Sequence, residues 1–422
     1  MNQTGSGLFG NIISRKGIIS LSDQVVASGT NFLTGAIIGR TCAKEEFGYY
    51  MLCLSVVLFF IDLQSSLISA PYMVFSQRYS GREHRAYSGS TLLHQITLLC
   101  CLVLLLAGAT AVYSTQGKDV GLIPVLWVLV LVVFFILLRD YIRKLCFASL
   151  MMRSAFVVDC CVSLFQITLL LLLADISLLS ATTSYLAIGY ACATASVGWL
   201  YFNRQSFSFS RERIKEDFLR NWSFGKWIFA SGLLWALSLN LYPWLLAYFH
   251  GAAAAAVWGA CFGIAAIGNP LLLGIQNFLG PKIIRAHATG GKELLGRFVI
   301  SSAILFSLII MPFCLILMLF GDQLVILVYG VKYGGHGLVI SILALNLLVS
   351  AASFTLSRVF YAVERVDLFF VANFVPVIML LFCGILLVKM FGPLGVAYGI
   401  LLSSTAISVV LAAMYYKFIR ST

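Results

Sequence analysis

Three carboxylates stand where carboxylates are costly. Asp23, Asp62 and Asp159 each interrupt a long apolar stretch. An ionisable group in such a place is a functional candidate by default. Smaller polar residues accompany each acid at helical spacing. Ser20, Asp23, Ala27, Asn31 and Thr34 share one face of a helix, as do Ser55, Asp62, Ser66 and Ser69. Asp159, Ser163 and Gln166 follow one another at i, i+4 and i+7. A carboxylate on such a stripe can take up a proton or hold a sodium ion. The stripe must face a wet cavity or another helix, because lipid satisfies no polar group. The other role open to the acids is cross-linking of helices, through Arg153 or through Ser and Asn neighbours. Arg153, the basic residue well inside an apolar stretch, is either an anion contact or a side chain that snorkels to the nearby surface. Arg40 carries the same two readings, and His94 reads as a hydrogen-bonded helix residue rather than a proton relay.

The elements that must position these residues follow from composition. The chain has 422 residues, 61% hydrophobic and only 10% charged, with a mean hydropathy of +0.98. Soluble domains are about 45–50% apolar and about 25% charged, so the solvent here is lipid. Stretches of about 20 apolar residues, the length that crosses a bilayer as a helix, occur twelve times: 17–39, 47–73, 91–113, 120–138, 145–174, 181–202, 226–249, 253–279, 298–320, 335–357, 368–390 and 393–416. They are apolar all round rather than alternating, which excludes a barrel. The expected fold is an all-α polytopic membrane protein. Its first span is read as a retained helix, being too long for a signal peptide and lacking a clear cleavage site. The 11 cysteines lie mostly inside apolar runs without CxxC spacing, as small buried hydrophobes rather than disulfide or zinc ligands.

The net charge of +12 resolves by loop. The N-terminus, the even-to-odd connections and the C-terminus hold 22 of the 28 Lys and Arg, and the opposite connections hold 5. This positive-inside bias places both termini in the cytoplasm and turns the charge into a collar at the anionic leaflet, which excludes nucleic acid as a partner. The most charged stretch, 203–226, separates six spans from six, giving an N-lobe of residues 1–210 and a C-lobe of 211–422. Within it Ile214, Phe218 and Trp222 recur at i, i+4 and i+8, the pattern of a short interfacial helix or of a solvated linker. Pro71 and Gly81-Arg82-Glu83 recur 210 residues on as Pro281 and Gly291-Lys292-Glu293, as do Lys16 and Lys226. Repeats of even span number have the same orientation, an arrangement used for alternating access.

The second half differs in kind. Its spans carry amides such as Asn240, Asn269, Gln276, Asn277 and Asn346 and the prolines Pro243, Pro270, Pro312 and Pro376. Pro243 is the candidate hinge, the alternative being a static kink. The chain has no Walker GxxxxGK(S/T), no metal-ligand cluster and only short outward loops, so an enzyme is not expected.

The passage IIGRTCAKEEFGYYMLCLSVVLFF, with Gly39-Arg40 and Glu46-Phe47-Gly48-Tyr49, resembles the start of Wzx-type polysaccharide repeat-unit flippases, and FGPLGVAYGILLSS from Phe391 to Ser404 resembles their late region. These belong to the multidrug/oligosaccharidyl-lipid/polysaccharide (MOP) exporter superfamily. The resemblance implies two six-helix lobes in a bacterial cytoplasmic membrane. It also implies a substrate, an oligosaccharide on undecaprenyl diphosphate, carried by alternating access coupled to a proton or sodium gradient without an organic cofactor. A polysaccharide polymerase and a chain-length regulator are the implied protein partners. Arg40 and Arg153, with Arg143 near a span end, would then meet the diphosphate, Asn31, Asn269 and Gln276 the glycan, and Asp23, Asp62 and Asp159 the coupling ion. A cation-coupled drug exporter of the same superfamily, in which the acids hold cationic drugs, is one competing reading; a non-transporting scaffold for a synthase is the other. A major-facilitator transporter shares the span count, but its GxxxDRxGR-like loop is absent.

Overall fold

The computed structural model describes residues 15–117, 119–269, 272, 301–302, 304–362 and 372–420. Among these residues twelve helices are numbered: α1 (Arg15–Thr41), α2 (Lys44–Arg78), α3 (Gly81–Thr115), α4 (Leu122–Ala148), α5 (Met152–Asp175), α6 (Ala181–Phe202), α7 (Arg211–His250), α8 (Ala252–Ala266), α9 (Ile304–Tyr329), α10 (Gly337–Ala362), α11 (Phe374–Phe391) and α12 (Pro393–Arg420). No strand occurs among the described residues. Nine stretches among them are long and apolar enough to cross a membrane. The other three of the twelve are α8, the apolar first part of α10, and α1, whose polar stripe lowers its hydropathy. The eighth, ninth and eleventh expected spans run partly into positions outside the described residues, as do Pro270, Gln276 and Asn277 and the second copy of the Pro and Gly-Lys-Glu landmarks.

The helices gather into two compact units that meet in sequence at Leu233–Leu234. In the first, α4 is the hub and packs on α2, α3, α5 and α6, while α1 lies along α5. Val162, Ala191 and Cys192 form a buried knot where α5 meets α6, with Phe135 and Ile136 of α4 against it. Small residues let these helices approach closely: a Cβ on Gly189 of α6 would overlap the Val132 side chain of α4. The start of α6 is fastened by its own Ser180–Thr183 capping box and by Glu46, whose Oε2 accepts from the Ala181 N–H at 2.7 Å. A carboxylate at a helix N-terminus meets both a free N–H and the positive end of the dipole, so the Glu46 of the EFGYY motif serves packing of the fold.

Two stretches depart from the sequence reading. α4 does not stop where its apolar run ends at residue 138 but continues ten residues to Ala148, so Arg139, Asp140, Arg143 and Lys144 are helical residues rather than loop. Their charges are neutralised by neighbours, and backbone hydrogen bonding continues past the point at which hydropathy falls. α7 begins at Arg211 and runs through Pro243 to His250 as one helix, so Ile214, Phe218 and Trp222, read as a short interfacial helix or a solvated linker, lie in its first turns. Phe218 and Trp222 stack there, 6.4 Å apart. In α2 a π-turn at Ser65–Ser69 precedes Pro71, one turn beyond Asp62. In the second unit α10 and α11 pack on α12, and α8 on α10. All eleven cysteines are free.

Candidate functional site

The first unit brings two of the three acids together. Asp23 of α1 and Asp159 of α5 are both fully buried, near the end of the unit where α1 and α5 begin and α4 ends. Their cations come from the part of α4 that hydropathy assigns to a loop. Arg143 donates from Nε to Asp159 Oδ2 at 2.7 Å and from Nη2 to Asp23 Oδ2 at 2.7 Å, with a further contact to Gln24 Oε1 at 3.2 Å. Arg139 donates from Nη2 to Asp159 Oδ1 at 2.6 Å. Residues 139 and 143 are one turn apart and present one face. A buried carboxylate persists as an ion only when paired and hydrogen-bonded, and a guanidinium, charged at every accessible pH, supplies both. Of the two roles open to these acids, cross-linking of helices names Arg153 or Ser and Asn neighbours as partners; here Arg139 and Arg143 make the cross-link, and Arg153, exposed in the first turn of α5, takes no part in the cluster.

From this cluster a polar ladder climbs the α1–α5 contact. Thr30 Oγ1 and Ser163 Oγ lie 2.5 Å apart, and Gln166 Nε2 donates to Thr34 Oγ1 at 2.7 Å. The α5 stripe is as the spacing predicts. On α1 the buried face is Asp23, Thr30 and Thr34, whereas Asn31 is exposed, because 3.6 residues per turn carries i+8 away from a face that i+7 and i+11 keep. Arg40 lies at the other end of α1, 17 residues and roughly 25 Å from Asp23, so Arg40 and the Arg139–Arg143 pair cannot meet one phosphate group. Asn269 is exposed and Gln276 lies outside the described residues.

A second chain of polar groups starts from Asp140 and Lys144, each one residue on from the two arginines of α4. Gln95 of α3 donates to Gln64 Oε1 at 2.7 Å, Gln64 donates to Asp140 Oδ2 at 3.0 Å, and Lys144 Nζ reaches the same oxygen at 2.7 Å. Both glutamines are fully buried. Asp62 is half-buried near Lys144 and Asp140, and its carboxylate makes no hydrogen bond or ion pair with the described residues. Gln64, Gln95, Arg139, Asp140 and Lys144 are not among the residues the sequence singles out, which name Arg143 alone of this run, as a diphosphate contact near a span end. The available signal was the arrangement of RDYIRK straight after an unbroken apolar run, where i, i+4 pairs mark a continuing helix.

Beneath the start of α7 lies a third polar group. His94 is bonded to the Ile214 carbonyl at 2.9 Å, as its helix-residue reading expected, and Tyr87 donates to Asn221 Oδ1 at 2.8 Å. Asp217 is buried with Oδ2 unpartnered and Arg220 3.9 Å from its other oxygen. Burial holds this carboxyl above the usual carboxylate range. Pro243 is buried within an unbroken α7.

Among the described residues no His, Cys, Asp and Glu group is placed to hold a metal ion. What the first unit offers is a balanced set of two carboxylates and two guanidiniums, an unpaired acid at Asp62, and a lysine held by Asp140. Such a set can bind an anion through the guanidinium edges and exchange a proton at the carboxylates.

Residues 13–287, about two thirds of the chain, match the family described as "Polysaccharide biosynthesis protein". No curated protein matches the sequence. Among solved structures, an inward-facing multidrug resistance MATE family transporter of the MOP superfamily aligns with a TM-score of 0.78 at 17% identity, over 95% of this chain and 98% of that one. An outward-facing MATE transporter aligns at 0.61 and 16%, over 95% and 94%. A MOP superfamily transporter from Pyrococcus furiosus Vc1, described as having a binding pocket of reverse polarity, aligns at 0.64 and 15%, over 95% and 94%. At these identities the structural likeness speaks for the fold. By its family match the chain belongs to the polysaccharide biosynthesis proteins, and its fold is that of the MOP superfamily transporters.

Proposed function

We propose that this protein is a flippase that carries an oligosaccharide on undecaprenyl diphosphate from the cytoplasmic to the outer leaflet by alternating access of its lobes. Membership of the polysaccharide biosynthesis family supports the glycan cargo, and the observation that carries the anion reading is the Arg139–Arg143 pair. The Arg139 and Arg143 side chains are 21% and 19% exposed while those of the carboxylates they pair with are fully buried. A diphosphate needs planar, paired donors, and the lipid tail remains in the bilayer. By the positive-inside rule the site belongs to the cytoplasmic end of the first lobe, the side on which lipid-linked sugars are loaded. Asp23 and Asp159 bind the coupling proton, with Asp62 as a third coupling position, and Pro243 is the bending point of α7. Arg40 and Arg153 act as interfacial anchors. The cell carrying it is bacterial, the membrane the inner one, and a polymerase and chain-length regulator work downstream.

Deleting the gene should cause lipid-linked oligosaccharide to build up on the cytoplasmic face, and Arg143→Gln should fail to clear it. Unchanged surface glycan in the deletion strain would refute the flippase. The unpaired Asp62 favours one other reading, export of a cationic drug, since an acid without a cation partner suits a cationic cargo. Drug susceptibility that rises on deletion while lipid-linked sugar stays constant would select that reading.

A further inference from the structure

We propose that the first turns of α7 and the end of α2 form a binding site for the headgroup of an anionic phospholipid. The site is separate from the Arg139–Arg143 cluster and independent of which cargo the protein carries.

Three arginines from two helices build it, all within the first unit. Arg213 and Arg220 of α7 lie over the ring of Tyr79, 4.9 and 6.0 Å from its centroid, and Arg220 also donates from Nη1 to the Tyr79 hydroxyl. Arg78 of α2 lies over Phe75 at 5.1 Å. The Tyr79 ring is itself held in place, 5.1 Å from that of the buried Tyr87. Stacking fixes a guanidinium by its face and leaves N–H edges, the part that grips a phosphate, for a ligand. Arg78 and Arg220 are exposed and Arg213 is half-buried, so the cluster lies at the surface. Asp217, buried 3.9 Å from Arg220, does not cancel it: segments 78–85 and 211–220 hold seven Lys and Arg against four Asp and Glu.

Depth and apolar neighbours select a lipid over a soluble anion. Gln77 Nε2 donates to the Ala148 carbonyl, which sets the end of α2 level with the end of α4. α5 starts four residues further on, and its 24 residues extend about 36 Å, little more than a hydrocarbon core of about 30 Å. The arginines therefore stand at the level of the headgroups, in the cytoplasmic leaflet by the positive-inside rule. Toward the bilayer the same face of α7 turns apolar. Arg213, Arg220 and Phe224 follow at i, i+7 and i+11, and Phe224 meets Phe75 edge-on at 5.5 Å. Phe224 is exposed, as are Met73 and Val74 on α2. Positive charge on the cytoplasmic side and apolar surface on the membrane side match a phospholipid from its anionic headgroup to its acyl chains.

The test is native mass spectrometry of the full-length protein in a neutral detergent, titrated with phosphatidylglycerol or phosphatidylcholine. Phosphatidylglycerol should stay bound where phosphatidylcholine does not. Arg78→Gln, Arg213→Gln and Arg220→Gln should each cost about fivefold in affinity, and three separate variants guard against one that fails to fold. Arg204→Gln is the control, because Arg204 is an exposed arginine of the same collar that lies over Tyr201 rather than Tyr79; it should bind as wild type does. An equal loss in Arg204→Gln would overturn the site in favour of diffuse attraction to the collar. Equal retention of the two lipids would overturn the anionic ligand. Displacement of phosphatidylglycerol by equimolar glycerol 3-phosphate would overturn the phospholipid and leave a soluble phosphate as the occupant.

Discussion

Replacing Arg143 by methionine removes the group that ties three helices of the first unit together. Arg143 holds Asp23 and Asp159 at 2.7 Å each. Asp159 retains Arg139, whereas Asp23 loses the cation to which it is paired and already has one oxygen without a donor. Each unit-charge pair at about 4 Å is worth about 4 kcal/mol at an effective dielectric of about 20. Part of this is offset because the buried guanidinium no longer has to be desolvated. Breaking a buried pair from one side costs about 3–5 kcal/mol, and that is the expected loss for Arg143→Met. For a unit of this size it lowers the unfolding midpoint by roughly 6–20 °C. Adding Asp23→Asn should then return more than half of the loss, since a buried pair removed from both sides leaves no uncompensated charge. Thermal unfolding of the four proteins of the cycle in nanodiscs, followed by tryptophan fluorescence, measures both quantities. A loss below about 1 kcal/mol, or a double variant as unstable as the sum of the singles, would refute the reasoning that Arg143 neutralises Asp23.

Other outcomes follow from the same packing. Arg153→Ala, at an exposed first-turn position, should change stability by no more than about 0.5 kcal/mol and leave glycan export intact, whereas Arg143→Gln should abolish it; complementation of a deletion strain reads the contrast. Gly189→Leu should cost about 1–3 kcal/mol by overpacking, because its side chain must displace Val132; thermal unfolding reads it. Gln166→Leu removes one rung of the α1–α5 ladder and should cost about 0.6 kcal/mol, the average for such bonds in a membrane, measured against Thr34→Val in a cycle. Asp217 binds its proton more tightly folded than unfolded, since burial raises it. The folded protein therefore holds more protons than the unfolded chain between the two values, and stability conferred by the start of α7 grows as pH falls through that window. Hydrogen exchange over 211–225 should slow on acidification in wild type, and Asp217→Asn should be slow already at neutral pH.

Much of the architecture was legible in the sequence, because lipid imposes length and apolarity on every crossing segment. The helical spans, the absence of strands among the described residues and the polar line on α5 all follow from that single constraint. The stripe on α1 was read with one position misplaced, Asn31 for Thr30, since a face defined by i+4 steps drifts from the true 3.6-residue turn over two turns. The larger gap lay at α4. A hydropathy count ends a span at its first charge, so it leaves Arg139 and Arg143 in a loop and offers Arg153, or Ser and Asn neighbours, as the cross-linking partners of the acids. What sequence by itself determined is that Asp23 and Asp159 must be answered by something, for an unanswered carboxylate has no place in lipid. Which group answers them was decided by tertiary structure alone, because it depends on the end of α4 lying between α1 and α5. Arg143 stands 120 residues from Asp23 along the chain, and only helix packing brings the two to hydrogen-bonding distance.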